Sequence, residues 1–127
     1  MIVGMNHFTV IAEDERATLD FYVGLLGMTV GHRPDLGFPG AWLYAGGPNA
    51  VLHMYFDRPM PKTRAGVIDH MAFSAQNLRA VKARFDAAGV KYDLRQQAGA
   101  GTWQLFTFDP NGAKVELDFD PSERLDG

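Results

Sequence analysis

The first alternation of apolar and polar positions runs through Met5-Asn6-His7-Phe8-Thr9-Val10-Ile11-Ala12. Phe8 and Val10 share one side and His7 and Thr9 the other, which predicts a half-buried strand over residues 5–12. The period then becomes helical. Asp14 is placed to cap a helix, Leu19, Tyr22, Val23 and Leu26 fall at helical spacing, and Gly27 suits the left-handed residue that ends it. Met28–Val30 starts a second strand, and a Gly- and Pro-rich loop covers residues 31–40. Ala41–Ala45 and Ala50–Phe56 then predict a hairpin turning at Gly46-Gly47-Pro48-Asn49. Residues 57–66 carry two prolines and a glycine among charges and read as a linker. The same order recurs beyond it. Val67–Ser74 predicts a strand with Asp69, Met71 and Phe73 on one side, and Asn77 can cap a helix through Val81, Phe85 and Ala88 to Gly89. Strands follow at Val90–Leu94, Thr102–Phe108 and Ala113–Phe119, the last two joined by Asp109-Pro110-Asn111-Gly112. The polar residues 120–127 are expected to fray.

Subtraction makes the repeat explicit. His7 and His70, Phe8 and Met71, Val10 and Phe73, and His53 and Glu116 are each 63 residues apart. Through the helices the offset is 62, with Leu19 matching Val81, Leu26 matching Ala88 and Gly27 matching Gly89. The chain thus reads as one domain, 1–127, of two tandem βαβββ modules: residues 1–56 and 67–119, with the linker at 57–66 and a polar tail at 120–127. Matching core positions show only duplication. Matching histidine and carboxylate positions say more, since two prescribed pairs of such residues would coincide by chance at roughly 2%.

Composition narrows the function. The 127 residues, 46% apolar and 21% charged, suit one folded domain rather than a disordered or fibrous chain. A net charge of −3 gives no support to a nucleic-acid or anionic-membrane partner, so a small-molecule substrate is expected. No stretch has the length of an apolar membrane span and residues 1–10 lack the pattern of a signal peptide, so the protein is expected in the cytoplasm. With no cysteine, thiolate nucleophiles and thiolate metal sites are excluded, and a metal would need nitrogen and oxygen ligands.

Two modules facing inward would bring His7, His53, His70 and Glu116 to one concave site, because alternation puts each opposite the helix-packing side chains. Imidazoles and a carboxylate with open positions suit Fe(II), Mn(II), Zn(II) or Ni(II). His53 fits either a fourth ligand or an uncoordinated acid/base. Each residue also has a plainer reading. Taken alone, Glu116 is a solvated-face glutamate of an amphipathic strand, and only the repeat raises it above that. His32 has no counterpart and is expected in solvent, while Trp42, Tyr55, Trp103 and Phe106 suit core or pocket wall.

The strand with His7, the segment Phe21-Tyr22-Val23-Gly24-Leu25-Leu26-Gly27-Met28, the strand Asp69-His70-Met71-Ala72-Phe73 and Asp109-Pro110-Asn111-Gly112 followed by Glu116 together resemble the vicinal oxygen chelate superfamily. That superfamily groups glyoxalase I, extradiol dioxygenases, fosfomycin resistance transferases, methylmalonyl-CoA epimerase and bleomycin resistance proteins. The resemblance covers essentially the whole chain. It implies an α+β glyoxalase/dioxygenase fold, two tandem βαβββ modules forming an open, curved mixed sheet, and a homodimer. It also implies one divalent ion (Fe, Mn, Ni, Co or Zn) on His7, His70 and Glu116, with Glu116 and His53 as catalytic groups. His53 falls where bacterial-type glyoxalase I has a further carboxylate ligand and extradiol dioxygenases keep an unbound catalytic histidine. The first expectation is therefore an extradiol-type dioxygenase, the alternative a glyoxalase-like lyase or isomerase, and the third a thiol transferase or non-catalytic resistance protein. Two departures count against the dioxygenase: Phe106 stands at its tyrosine position, and Gln96, Gln97 and Ala98 offer no counterpart to its preceding histidine. Thr9 resembles the fosfomycin enzymes, but no basic cluster accompanies it. Thr9, Trp42, Tyr55, Trp103 and Phe106 complete the expected substrate pocket.

Overall fold

A computed structural model describes residues 1–126. They fall into two compact units, one ending at Arg64 and the other starting at Ala65. The first contains β1 (Phe8–Ile11), α1 (Glu15–Leu19) continuing as a π-helical stretch (Asp20–Leu25), then β2 (Thr29–Val30), β3 (Gly40–Tyr44) and β4 (Ala50–Tyr55). The second contains β5 (Met71–Ser74), α2 (Leu78–Ala88), β6 (Asp93–Gln96), β7 (Trp103–Phe108) and β8 (Lys114–Phe119). Each forms a four-stranded mixed sheet, ordered β1-β4-β3-β2 and β5-β8-β7-β6. The class is α+β, built from two βαβββ units of the same connectivity.

The repeat is legible in the register. In the parallel pair β1/β4, Phe8 faces Leu52 and Thr9 faces His53; in β5/β8, Met71 faces Val115 and Ala72 faces Glu116. Adding 63 to either member of the first pairs gives the second. His53 and Glu116 therefore hold equivalent places in their sheets.

The helices differ by one residue. Both begin 63 apart, at the N-cap positions Asp14 and Asn77, and both end at left-handed glycines, Gly27 and Gly89, that are 62 apart. The first helix thus holds one residue more, and it widens to accommodate it: Leu26 N–H donates to Phe21 C=O, five residues back, at 3.0 Å. Thr18, Phe21, Tyr22 and Leu25 are buried, a stripe of the same 3.6-residue spacing set one residue earlier than expected, so of the expected stripe only Tyr22 is fully covered.

Capping also differs. Asp14 accepts from Ala17 N–H at 3.0 Å, as its position predicts. Asn77 sits at a left-handed φ of 67° and its side chain caps nothing. Glu123 does so instead, its two carboxylate oxygens accepting from Leu78 N–H at 2.7 Å and Asn77 N–H at 3.2 Å, and its carbonyl accepting from Trp103 Nε1 at 3.0 Å. The expected fraying is corrected at Glu123, whose three hydrogen bonds tie the tail to α2 and β7. The strands predicted at Val67 and Val90 begin later, at Met71 and Asp93. Val90 N–H closes the end of α2 by donating to Phe85 C=O at 3.1 Å, so it is not available to a strand.

In each unit the apolar core is built by the helix and one face of the sheet: Val10, Leu43, Leu52 and Met54 with Phe21, Tyr22 and Leu25, and Leu105, Val115, Leu117 and Phe119 with Leu78 and Phe85, while Phe106 and Glu116 are buried on the other face. Along β4 buried and half-buried residues alternate strictly, which leaves Val51, His53 and Tyr55 on the open face.

Candidate functional site

In the first unit, His7 lies just before β1 and His53 in the middle of β4. Their rings stack at a centroid distance of 3.6 Å and an interplanar angle of 11°. Trp42, paired with His53 across β3/β4, stacks on it at 4.2 Å and 14°. Two parallel rings this close cannot share one face, so the His53 imidazole lies between His7 and Trp42. Its pKa is lowered by burial first and then by His7, while Ala50 opposes through a hydrogen bond and Arg33 adds to the lowering. His53 therefore holds its proton less readily than a free imidazole. Thr9 flanks it from β1, and Tyr55, two residues on, occupies the same face.

In the second unit, His70 precedes β5 and Glu116 lies in the middle of β8. His70 Nε2 is 3.0 Å from Glu116 Oε1, and Gln104 donates to Glu116 Oε2 at 3.2 Å. The Glu116 side chain is only 8% exposed. It is a buried carboxylate held by two neighbours rather than a solvated-face residue. Asp118, next along the same face, has a pKa raised to about 6, chiefly by burial and then by Glu116, and its Oδ1 is buried without a partner. Phe106 meets His70 edge-on at 6.0 Å and carries Arg95 at 4.5 Å and Lys114 at 5.3 Å over its ring.

One device is common to both units. His7 Nδ1 donates to Asn6 Oδ1 at 2.7 Å, and His70 Nδ1 to Asp69 Oδ2 at 2.8 Å. Neither oxygen carries a hydrogen, so each Nδ1 is the donor to its anchor and each ring is held with Nε2 turned the other way. Asn6 and Asp69 are themselves 63 residues apart. The Asp69 carboxyl is held below its usual range by the hydrogen bond from His70 and by Lys114, whose Nζ is 3.6 Å away.

These donors fit a divalent ion in part. Two ligand atoms at right angles on a metal with bonds of about 2.1 Å lie about 3.0 Å apart. That is the separation between His70 Nε2 and Glu116 Oε1. His7 has the same anchoring through Nδ1. His53 does not fit beside His7, because parallel rings 3.6 Å apart cannot both hold one ion in their planes. Among the described residues no three His, Asp or Glu side chains converge on one point; the donors come as one pair in each unit.

Trp103, expected in the pocket wall, is not on the Glu116 face. It pairs with the buried Phe119, and alternation puts it on the helix side with its indole tied to Glu123. Gln104 occupies the open face instead. Sequence reasoning also passed over Asn6, Asp69 and Asp118. The 63-residue offset carried a signal for the first two, and alternation from Glu116 for the third.

A duplicated βαβββ chain with an anchored histidine before the first strand of each unit and a buried carboxylate in the last belongs to a class of two-module α+β proteins built around such an open face. The family follows from the sequence. The model of the Glyoxalase/Bleomycin resistance protein/Dioxygenase superfamily matches residues 4–117, and the chain belongs to that superfamily. It is 27% identical over 124 residues to "Glyoxylase I 4" of Arabidopsis thaliana, covering 91% of this chain and 70% of that protein. The fold matches a putative glyoxalase family protein from Bacillus anthracis with a TM-score of 0.76 at 19% identity, over 94% of this chain and 97% of that one. It also matches the lactoylglutathione lyase of Agrobacterium tumefaciens with a TM-score of 0.66 at 19% identity, over 91% and 92% of the two chains. No described helix is long and apolar enough to cross a membrane.

Proposed function

We propose that this protein is a divalent-metal-dependent enzyme of the glyoxalase type, a lyase or isomerase that shifts a proton on a small substrate with neighbouring oxygens. The observation that carries the reading is the matched pair of anchored histidines, with His70 Nε2 set 3.0 Å from the buried Glu116 carboxylate. His7, His70 and Glu116 would hold the ion. When bound, it would supply Lewis acidity, stabilising negative charge on a substrate oxygen. Everything else is the work of the chain. His53, kept neutral between His7 and Trp42, accepts and returns the proton. Asp118, buried beside Glu116, can take up a proton near pH 6. Trp42, Tyr55 and Phe106 wall the open faces against water, and Thr9 offers a hydroxyl beside His53.

The relatives named for glyoxalase activity support this reading over ring cleavage, and Phe106, directly across from Glu116, has no hydroxyl for the role a dioxygenase tyrosine would play. Extradiol cleavage is the second reading, favoured by an imidazole rather than a carboxylate at His53. The homodimer implied by the family is part of the proposal. Ile2, Val3, Met5, Val67 and Ile68, all exposed just before β1 and β5, are the surface a second copy would cover.

The test is turnover of the glutathione–methylglyoxal hemithioacetal by Ni(II)-, Co(II)- or Zn(II)-loaded protein without oxygen. Turnover lost in His70→Ala and in His53→Ala supports the proposal. Oxygen uptake with a catechol by Fe(II)-loaded protein, and no anaerobic turnover, overturns it in favour of the second reading.

A further inference from the structure

Arg33 belongs to the segment between β2 and β3, which has no regular structure. Its side chain reaches back over the open face of the first sheet. A Cβ on Gly40 would come within 2.8 Å of Arg33 Nη2 and 2.4 Å of Met54 C=O, so the guanidinium rests where the sheet lacks a side chain. Gly40 pairs with Tyr55, and its neighbour two residues on, Trp42, pairs with His53. Arg33 thus lies on the face that carries the His53 stack, near enough for its charge to act on that imidazole.

Two of its nitrogens are unsatisfied. Nε and Nη2 are buried and have no hydrogen-bond partner among the described residues. Phe38, 5.0 Å away, takes the charge on its ring face but offers no lone pair to N–H groups. The neighbouring Arg58 differs: it lies over Phe38 and Tyr55 and is paired with Asp57. Burying N–H groups of a cation without an acceptor is unfavourable, and a planar fork without a partner matches the two oxygens of a carboxylate.

We infer that Arg33 is the recognition group for a carboxylate on the substrate, seated over Gly40 and beside the His53–Trp42 stack, with an apolar or aromatic body taking the place of Phe38 against Tyr55. The inference rests on the proposed function only in making this ligand the substrate. The carboxylate reaches the covered edge by displacing Phe38, which the irregular segment permits. The substrate class is a small organic acid whose reacting oxygens lie a few atoms from its carboxylate.

The experiment uses metal-stripped protein at pH 8, titrated with benzoate and with its neutral isostere benzamide. The indole N–H signals of Trp42 and Trp103 report the location. Benzoate is expected to shift the Trp42 signal and to bind at least about tenfold more tightly than benzamide, and Arg33→Gln is expected to abolish that preference. Equal affinities, a preference that survives in Arg33→Gln, or a response confined to Trp103 would overturn the inference. If Arg33→Gln does not fold, the benzoate–benzamide comparison on the unaltered chain decides alone. Because no metal is present, the outcome is separate from the proposed chemistry: a chain that prefers benzoate but takes up no ion keeps the carboxylate site and loses the enzyme reading, and the converse result does the opposite.

Discussion

Asp69→Ala should weaken divalent-metal binding by about tenfold. The carboxylate accepts His70 Nδ1–H at 2.8 Å, which fixes the ring plane and aims Nε2 at Glu116 Oε1. Removing such an outer partner of a ligating histidine costs about 10- to 100-fold in affinity. Two features place this site at the lower end. The Asp69 side chain is 75% exposed, and Lys114 Nζ at 3.6 Å offsets part of its charge. What remains is orientation, about 1.4 kcal/mol for the tenfold. An amide oxygen can orient as well as a carboxylate, as Asn6 does for His7 at 2.7 Å. Asp69→Asn should therefore stay within about threefold of the parent. The assay is competition for Zn(II) or Co(II) against a chelating indicator, with circular dichroism to confirm the fold. An Asp69→Ala chain that binds as tightly as the parent would refute the anchoring argument. So would Asp69→Asn losing as much as Asp69→Ala, since charge rather than orientation would then be the cause.

Glu123→Ala removes acceptors from two N–H groups at the start of α2 and should lower stability by about 1 kcal/mol or more in urea unfolding; an unchanged midpoint would mean that the tail does not cap the helix. For Asp118, the folded pKa of about 6 lies above the ordinary carboxyl value of 3.8. The folded state therefore holds the proton more tightly, and this group's contribution to stability is present below pH 3.8 and is lost as pH rises through about 6. Metal-free Asp118→Asn should lose that part of the decline, and a profile parallel to the parent's between pH 4 and 6 would contradict the burial of this carboxyl. His53 works in the other direction, because its lowered pKa makes protonation between its folded value and 6.5 unfavourable to the fold; His53→Gln should flatten the loss of stability on acidification below pH 6.5.

The fold could be read because its two periods contrast. Alternation over Ala50–Tyr55 and over Trp103–Phe108, with Gly and Asp-Pro-Asn-Gly turns between strands, marks the hairpins, and the 63-residue offset fixes which strands correspond. What could not be read depends on contacts distant in sequence or on one residue of slip. The buried face of the first helix lies one residue earlier than expected, because Phe21-Tyr22-Val23 and Leu25-Leu26 offer apolar side chains to either phase of a 3.6 spacing. Glu123 reaches back 45 residues to cap α2, and no local pattern announces it. The same holds at the site. His7, His53, His70 and Glu116 stood out because the repeat pairs them. Trp103 and Phe106 lie three apart on one strand, so alternation already sets them on opposite faces, and the pairing of Phe106 with Glu116 and of Trp103 with Phe119 shows which one faces the site. Arg33 matches Arg95 at the 62-residue offset, but its place over the first sheet became visible only where Gly40 leaves room for it.

The central claim is a metal held by His7, His70 and Glu116, with His53 outside the ligand set. It is tested most directly by equilibrium dialysis of metal-stripped protein against Co(II), followed by elemental analysis of the parent and of His70→Ala, Glu116→Ala and His53→Ala. One ion per chain in the parent and in His53→Ala, and none retained by His70→Ala or Glu116→Ala, is the predicted result. Full and equally tight loading of His70→Ala would contradict it.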